Sequence, residues 1–275
     1  FEYDYTFYDN KDLQVIKNHK FNYLGGSTIT ENQLDFRGKI LQVLTTHKRL
    51  ETDYPIIIRE NFTYNNFENV IKHTHQINDG KVEVLYQNTF NNIGQLTTKK
   101  VGNSESNPYQ QIDYKYNIRG WLTQINDVTN LNSDLFAFKI NYNTLDDTKA
   151  NVNTRKLYNG NISQTLWTSQ ENSYLRSYDY LYDGLNRLNN SSYSNLSRDF
   201  RGSYDENITY DENGNISTLK RYGLLEQSTP VLIDNLTYTY KNSNKSNQLL
   251  KVDDSSNNLG FNDLNKGDDY TYDNN

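Results

Sequence analysis

The sequence predicts an all-β protein built from tandem β-hairpins, and three observations lead to this prediction. A short pattern recurs along the chain: an aromatic residue, Asp or Asn, two variable residues, Gly, one variable residue and an aliphatic residue. Its copies are separated by 26 to 32 residues, with one longer gap of 66. Aromatic residues alternate with other residues ahead of the pattern, as in half-exposed β-strands. Helical periodicity is nearly absent.

The clearest copy lies in residues 177–188, SYDYLYDGLNRL. Three alternating tyrosines would share one face of a strand: Tyr178, Tyr180 and Tyr182. The Asp183 carboxylate can cap the N–H groups of a tight turn, and Asn186 occupies a position that must tolerate the left-handed conformation. An extended segment resumes at Leu188. The copy therefore predicts an aromatic strand, a four-residue turn and a second strand.

The whole chain is predicted to repeat this hairpin, with some degraded copies. The repeat-defining positions are Tyr8, Asp9, Asp35, Gly38, Tyr64, Phe90, Gly94, Tyr116, Gly120, Tyr158, Gly160, Tyr182, Asp183, Tyr210, Asp211, Gly214, Tyr240, Tyr272 and Asp273. Asp12 stands where the first copy should have Gly, Leu34 replaces the aromatic residue of the second copy, and Glu68 replaces the Gly of the third. The copy at Tyr240 has an expanded turn, and the last copy stops at 274–275 before its Gly.

Each part of the pattern has a physical role. Asp or Asn caps the turn, Gly or Asn adopts a positive φ, and the aromatic and aliphatic residues pack across the two strands. Apolar groups are expected on one face up to the turn, as in Phe62/Tyr64, Ile112/Tyr114/Tyr116 and Leu236/Tyr238/Tyr240. Phe1, Tyr3, Tyr5 and Phe7 run out of phase with Tyr8, which predicts a bulge or a change of register there.

The gap between Tyr116 and Tyr182 is predicted to hold one or two divergent, insert-like units at about 127–176. Residues 136–142, FAFKINY, alternate aromatic and other side chains and predict a strand. Asn159-Gly160, within the partial copy that begins at Tyr158, predicts a two-residue type I′ hairpin turn.

Composition limits the class of protein. Hydrophobic residues make up 34% of the chain, below the usual share of about 45–50%. Aromatic residues make up 13%, which argues against disorder and favours a broad sheet with half-wet faces. The net charge of −6, without a basic cluster, disfavours nucleic acid and anionic membranes as partners. No apolar run predicts a membrane span, and no cysteine is present. The absence of methionine, even at the start, suggests a segment of a longer polypeptide.

No set of residues predicts catalysis, a metal or a cofactor. His73 and His75 would share a strand face, but a third ligand is missing, so surface or lumen-lining histidines are favoured. Residues 211–215, DENGN, match a turn better than a calcium loop. The adjacent pairs at 253–254 and 268–269 would point to opposite faces, which excludes an acid/base dyad within either pair.

The repeats resemble those of the bacterial Rhs/YD-repeat family, whose consensus is close to Y-D-x-x-G-R-L. Residues 182–188 and 210–216 are the nearest matches, 116–122 and 158–162 are also similar, and the resemblance covers essentially all of residues 1–275. It implies a single curved or spiralling antiparallel β-strip that is part of a hollow β-shell, as in Rhs proteins, the C components of insecticidal toxin complexes and teneurins.

The resemblance also implies a function. In the bacterial members the shell encloses a C-terminal toxin that self-cleavage releases, but no Asp-Pro-x-Gly-Leu-like cleavage motif occurs in this sequence. The chain is therefore expected to be a non-catalytic shell segment of a secreted or cell-surface protein. Its expected partners are the flanking repeats and the C-terminal toxin or cargo of the same polypeptide. Open sheet edges predict self-association of the isolated chain.

An adhesion or carbohydrate-binding module at the cell surface remains the alternative. Trp121 and Trp167 could bind a sugar, although packing between side chains is the favoured role for both.

Overall fold

The protein is all-β, as predicted. The computed structural model describes residues 2–10, 13–146, 153–256, 259–261 and 267–273. The chain forms two compact units, Phe1–Gly120 and Trp121–Asn275. In both units the strands are antiparallel and follow one another along the chain. The only helix of the described residues is the single turn α1 (Lys241–Asn244), and no helix there is long and apolar enough to cross a membrane.

The first unit is a nine-stranded antiparallel meander. Its strands are β1 (Tyr3–Tyr8), β2 (Val15–Phe21), β3 (Gly25–Leu34), β4 (Ile40–Leu50), β5 (Ile56–Tyr64), β6 (Val70–Ile77), β7 (Glu83–Phe90), β8 (Leu96–Val101) and β9 (Gln110–Tyr116). Each strand pairs with the next. The repeated turns therefore lie along one rim of the sheet, and the other connections lie along the opposite rim.

This sheet is a single layer with two different faces. Phe62 and Tyr86 lie on one face, whereas Asn61 and Gln87 lie on the other. Among the described side chains of the unit, only Thr74 and Val84 are buried. The low share of hydrophobic residues thus fits a sheet whose two faces both stay partly exposed to water and do not enclose a core.

The second unit contains ten antiparallel strands. They are β10 (Leu122–Ile125), β11 (Phe136–Asn141), β12 (Gln164–Ser169), β13 (Arg176–Tyr182), β14 (Leu188–Asn195), β15 (Phe200–Arg201), β16 (Glu206–Tyr210), β17 (Ile216–Gly223), β18 (Val231–Tyr240) and β19 (Leu249–Asp254). β14 pairs with β13, β15 and β16. The predicted strand after residue 135 is confirmed as β11.

Burial in the second unit is deeper and largely polar. Ala137 and Leu166 are buried on the same face of β11 and β12, where Ala137 pairs with Thr168 and Leu166 pairs with Lys139. Four large polar side chains are fully buried: Gln164, Asp179, Asn195 and Asp234. Buried polar groups are costly unless they form hydrogen bonds. These side chains are therefore expected to bond to one another or to loops that cover the sheet.

A β-bulge precedes the anchor residue, which is the aromatic residue of the pattern or its replacement, in copy after copy. The predicted irregularity between Phe7 and Tyr8 is confirmed. The same shift of register occurs just before Leu34, Tyr64, Phe90, Tyr182, Tyr210 and Tyr240. Tyr182 pairs with Leu188, six residues later, and Tyr210 pairs with Ile216. The bulge adds local twist to each hairpin and belongs to the repeat itself.

The two-residue hairpin turn predicted at Asn159-Gly160 is wrong. The described residues on either side, 153–158 and 161–163, belong to no strand. Gly160 does adopt a positive φ of 101°. A Cβ atom there would lie 3.3 Å from the Trp121 ring, so the close ring also disfavours a side chain. The segment is a long connection between β11 and β12.

Candidate functional site: the ladder of hairpin turns

The turn at Asp183 shows how the pattern closes a hairpin. The Asp183 Oδ1 atom accepts hydrogen bonds from the backbone N–H groups of Leu185 and Arg187, both at 2.9 Å. Asn186 N–H donates to the Asp183 carbonyl at 3.0 Å, and Asp183 N–H donates to the Arg187 carbonyl at 2.9 Å. Asn186 adopts a φ of +62°. One Asp side chain therefore satisfies the N–H groups that a tight turn leaves unpaired.

The sister turns repeat this geometry. Their side-chain oxygens accept from the backbone N–H four residues later, at 2.8 to 3.0 Å, in Asp35, Asn65, Asn91 and Asp211. The residue in the Gly position has a positive φ in Gly38, Glu68, Gly94, Gly120 and Gly214. Glu68 differs from the glycines at this position, because a residue with a side chain is strained in the left-handed conformation by about 1–2 kcal/mol.

Hydrogen bonding lowers the pKa of the turn carboxylates. Backbone N–H groups of Lys39 and Arg187 are the largest causes for Asp35 and Asp183, respectively. For Asp211 the largest cause is the Asn215 side chain, which also lowers the pKa. Each donor favours the ionised carboxylate.

In several repeats the anchor tyrosine joins its hairpin to the preceding one. The Tyr210 hydroxyl donates to the backbone carbonyl of Leu188 at 2.6 Å. The same bond is made by Tyr64 to Ile40 at 2.8 Å, Tyr142 to Leu122 at 3.1 Å, Tyr182 to Ile162 at 2.9 Å, Tyr240 to Ile216 at 2.9 Å and Tyr272 to Leu249 at 2.9 Å. We call this bond the tyrosine bridge. It fastens two neighbouring hairpins at the same rim as the turns.

A cation reinforces the junction in several repeats. Arg187 Nε donates to Asp183 Oδ2 of its own turn at 2.6 Å, and its guanidinium lies 4.6 Å from the centre of the Tyr210 ring. The Lys39 ammonium lies 5.5 Å from the centre of the Tyr64 ring in the first unit. Cation–π contacts of this kind add about 0.5–1 kcal/mol at exposed sites.

Tyr142, rather than Tyr158, is the anchor within the long gap. Tyr142 makes the tyrosine bridge, whereas Tyr158 is 66% exposed. Ile162 supplies the carbonyl for Tyr182, so the unit runs from Tyr142 to Ile162 with a greatly lengthened turn. The signal was available in the sequence, because Tyr142 lies 26 residues after Tyr116, which is one of the usual separations.

The first and last copies depart from the common turn. Gln14 N–H donates to Asp9 Oδ1 at 3.0 Å, one residue later than in the sister turns. Asp12, predicted in the Gly position, lies outside the described residues. Tyr272 makes the tyrosine bridge, and residues 274–275 of its copy lie outside the described part of the chain.

A partly buried carboxylate, which no sequence pattern indicated, forms a second cluster. Glu226, in the loop between β17 and β18, bonds to the Arg176 and Tyr193 side chains and accepts from Asn195 Nδ2 at 2.7 Å. Burial pushes the pKa of Glu226 up, but these hydrogen bonds outweigh burial and leave it lowered. Burial is also the largest cause that raises the pKa of Tyr193. The cluster fastens the loop to β13 and β14.

A polar ladder crosses three strands on the other face of this sheet. Asn141 Nδ2 donates to Gln164 Oε1, and Gln164 Nε2 donates to Asp179 Oδ1, both at 2.8 Å. Asp146 closes the ladder, since its N–H donates to Gln164 Oε1 at 3.1 Å and its carboxylate accepts from Lys139 Nζ at 2.8 Å. The long connection is therefore held against the sheet by hydrogen bonds between polar side chains.

The remaining candidate residues take part in local packing. His73 stacks on Phe62 with ring centres 4.2 Å apart and lies 3.0 Å from Glu60, whereas His75 lies 3.1 Å from Glu83. The two histidines thus contact separate carboxylates. Trp167 stacks on Tyr178 at 5.6 Å. Trp121 lies against Tyr142 with ring centres 5.1 Å apart.

The acidic pairs also have local structural roles. Asp254 Oδ1 accepts from Asn235 N–H at 2.9 Å, and Asp269 Oδ2 accepts from Val252 N–H at 2.9 Å. Asp253 forms an ion pair with Lys251. These contacts fasten the edge of the second unit beyond β18.

The chain is similar to solved Tc toxin structures. The pore form of a Photorhabdus luminescens Tc holotoxin with a mutation in TccC3 is 12% identical, with a TM-score of 0.54, over 94% of this chain and 12% of that one. A TcdB2–TccC3 structure is 13% identical, with a TM-score of 0.54, over 92% and 13%. A TcdB2–TccC3-TEV structure is 12% identical, with a TM-score of 0.50, over 94% and 14%. No protein-family model and no curated protein matches the sequence.

At these identities the likeness shows the fold. This chain spans 12 to 14% of the length of the chains that it matches. The matched proteins are Rhs/YD-repeat shell proteins, so the fold expected from the resemblance of the repeats is confirmed.

Proposed function

We propose that this chain, which has the fold of the Rhs/YD-repeat shell proteins, is a non-catalytic wall segment of a shell that encloses a C-terminal toxin or cargo domain. The enclosing wall and the cargo belong to one longer polypeptide, which is exported from the cell that makes it. The flanking repeats of that polypeptide are its first partners.

The tyrosine bridge is the observation that carries the proposal. A single-layer sheet has no second layer to fix its twist or its register. Here the hydroxyl of each bridging anchor reaches the carbonyl of the hairpin before it, for example Tyr240 to Ile216 at 2.9 Å. The bond recurs in both units, at Tyr64 in the first and at five tyrosines in the second. A sheet fastened in this way can serve as a thin wall.

The two faces of the first unit also suit a wall. One face carries Phe62, Tyr86 and other apolar groups, and the opposite face carries amides and hydroxyls such as Asn61 and Gln87. Both faces stay partly exposed in the described residues, with only Gly26, Thr74 and Val84 buried. A wall that separates a confined cargo from solvent needs one face for the cargo and one for the solvent. Neither face can therefore be buried in a hydrophobic core.

Limited proteolysis of the complete polypeptide tests the proposal. We expect the domain downstream of this chain to be cleaved far more slowly in the complete polypeptide than when it is made alone. Gly214→Val should open the wall and speed cleavage, whereas Gly184→Ala, in a sister turn at a position with free space, should leave the rate unchanged. Equal cleavage rates for the enclosed and the free domain would reject the shell.

Carbohydrate binding at a cell surface is a second candidate. Three tyrosines at the rim opposite the repeated turns favour it: Tyr23, Tyr54 and Tyr109 are 75%, 96% and 74% exposed. Exposed aromatic rings can stack on sugars. A glycan array should give hits that the triple Tyr→Ala variant loses, and an array without hits excludes this candidate.

A further inference from the structure

The sequence contains two Asn-Gly-Asn segments, at 159–161 and at 213–215, and the structure places them in different surroundings. An asparagine that precedes glycine can lose its side-chain amide without an enzyme. Glycine has no Cβ to hinder its backbone nitrogen from attacking the preceding side chain. The rate then depends on how freely that nitrogen can reach the side chain. The two segments therefore form a matched comparison within one chain.

The attacking nitrogen is hydrogen-bonded in one segment and not in the other. Gly214 N–H donates to the Asp211 carbonyl at 3.1 Å inside a repeated turn. Gly160 N–H donates to no acceptor in the described part of the chain, and Gly160 lies in the long connection between β11 and β12. Attack by the Gly214 nitrogen must first break a hydrogen bond and open the turn, whereas attack by the Gly160 nitrogen breaks no such bond.

The Asn159 side chain is exposed and makes two hydrogen bonds. Its Oδ1 atom accepts from the Asn161 backbone N–H at 3.1 Å, and its Nδ2 atom donates to Asn186 Oδ1 at 2.7 Å. A backbone N–H must face an oxygen, so the first bond fixes which side-chain atom is Nδ2. The same N–H also stabilises the negative charge that develops on Oδ1 when Cγ is attacked. The second bond fastens the long connection to the turn that begins at Asp183.

We propose that Asn159 is a site of spontaneous deamidation that releases the long connection from the turn at Asp183. The Gly160 nitrogen forms a bond to Asn159 Cγ and gives up its proton to solvent, and the side-chain nitrogen leaves as ammonia. Water then opens the succinimide ring, which leaves aspartate or isoaspartate at position 159. The new carboxylate has no proton to donate to Asn186 Oδ1, so this contact is lost. The inference does not depend on the proposed role as a wall segment.

Peptide mass spectrometry of the 275-residue chain, incubated in mildly alkaline buffer, tests the modification. In the folded chain we expect the acid to form at Asn159 about three- to tenfold faster than at Asn213, which is the usual effect of one hydrogen bond. In urea the two rates should become equal, because both asparagines precede Gly-Asn. Equal rates in the folded chain, or faster conversion of Asn213, would overturn the proposal. A difference that persists in urea would also overturn it, because the cause would then be local sequence.

Amide hydrogen exchange tests the release of the connection. Asn159→Asp introduces the carboxylate of the product, so we expect exchange within residues 153–161 to become faster. Asn213→Asp makes the same change of charge in the other segment and should leave exchange within 153–161 as it is in the parent. Unchanged exchange in Asn159→Asp would overturn the release, and so would an equal increase in the two variants.

Discussion

The Tyr210 hydroxyl donates a 2.6 Å hydrogen bond to the carbonyl of Leu188, 22 residues earlier in the chain. Leu188 begins the second strand of the preceding hairpin, so the bond joins two hairpins rather than two strands of one hairpin. The same relationship recurs at the other bridging tyrosines. It explains why the aromatic residue of the repeat is so often tyrosine, which alone among Phe, Tyr and Leu supplies a hydroxyl.

Removing one tyrosine bridge should cost measurable stability. Tyr210→Phe keeps the ring and removes the hydroxyl, so we expect the free energy of unfolding to fall by about 0.5–1.5 kcal/mol. Tyr54→Phe is the control, because Tyr54 is 96% exposed. Urea unfolding measures both variants. A loss that is equal in the two variants would contradict the role of the bridge.

A glycine in a repeated turn should tolerate a side chain only where its φ is not positive, whichever position of the turn it occupies. Gly214 has a φ of +89°, and Gly184 has no positive φ and no neighbour within 4 Å of an added Cβ. We expect Gly214→Ala to cost about 1–2 kcal/mol of folding free energy. Gly184→Ala should cost nothing or stabilise slightly by restricting the unfolded chain. Thermal melting compares the two, and equal melting temperatures would contradict the turn geometry.

Glu68 has a strained backbone conformation, so a suitable substitution there should raise the stability of the protein. Its φ is +70°, and its carboxylate forms exposed ion pairs with Arg37 at 2.6 Å and Lys39 at 2.8 Å. Relief of the strain is worth about 1–2 kcal/mol, whereas exposed ion pairs are weakened by solvent and contribute little. Glu68→Asn, which tolerates the left-handed conformation, should therefore raise the melting temperature. Glu68→Gln, which removes the charge and keeps the strain, should lower it.

Acid should weaken the turns that use Asp. The pKa of Asp35, Asp183 and Asp211 is lowered in the folded protein. Their stabilisation is therefore present above the unfolded pKa of about 3.9 and is lost as the pH falls through the folded value. A variant with Asn in place of Asp35, Asp183 and Asp211 has the same capping residue in these turns as the natural turns at Asn65, Asn91 and Asn117. Its melting temperature should fall less than that of the parent between about pH 5 and pH 2.5. If the melting temperatures of the parent and the variant fell equally with pH, the role given to the three aspartates would be contradicted.

Substitutions in the Glu226 cluster should destabilise the second unit more than substitutions at exposed positions. Its side chain is 16% exposed, that of Arg176 is 14% exposed, and the two form an ion pair. Removing one partner of such a pair leaves an unpaired, poorly solvated charge. We expect Glu226→Gln to lower the free energy of unfolding by about 2–4 kcal/mol. The exposed Glu212→Gln serves as the control in denaturant unfolding. An equal effect of both changes would contradict the proposed role of the cluster.

The repeated turn could be predicted from sequence because its chemistry is local. The Asp183 carboxylate bonds to N–H groups two and four residues later, so the pattern itself contains donor and acceptor. The left-handed Asn186 and the bulge ahead of Tyr8 also follow from neighbouring residues. Tyr158 was misassigned because Asn159-Gly160 looks like a turn, although the strands needed for a hairpin are absent from the described residues around it.

The all-β class, the period of the hairpins and the capped turn follow from the amino-acid sequence alone, because each depends on residues within one hairpin. The bonding partners of the tyrosine hydroxyls, and the contact of Glu226 with Arg176, 50 residues away, are visible only in the folded protein. These contacts join side chains to groups in other hairpins. Which groups meet depends on strand register and loop placement, and neither of these can be read from a single repeat.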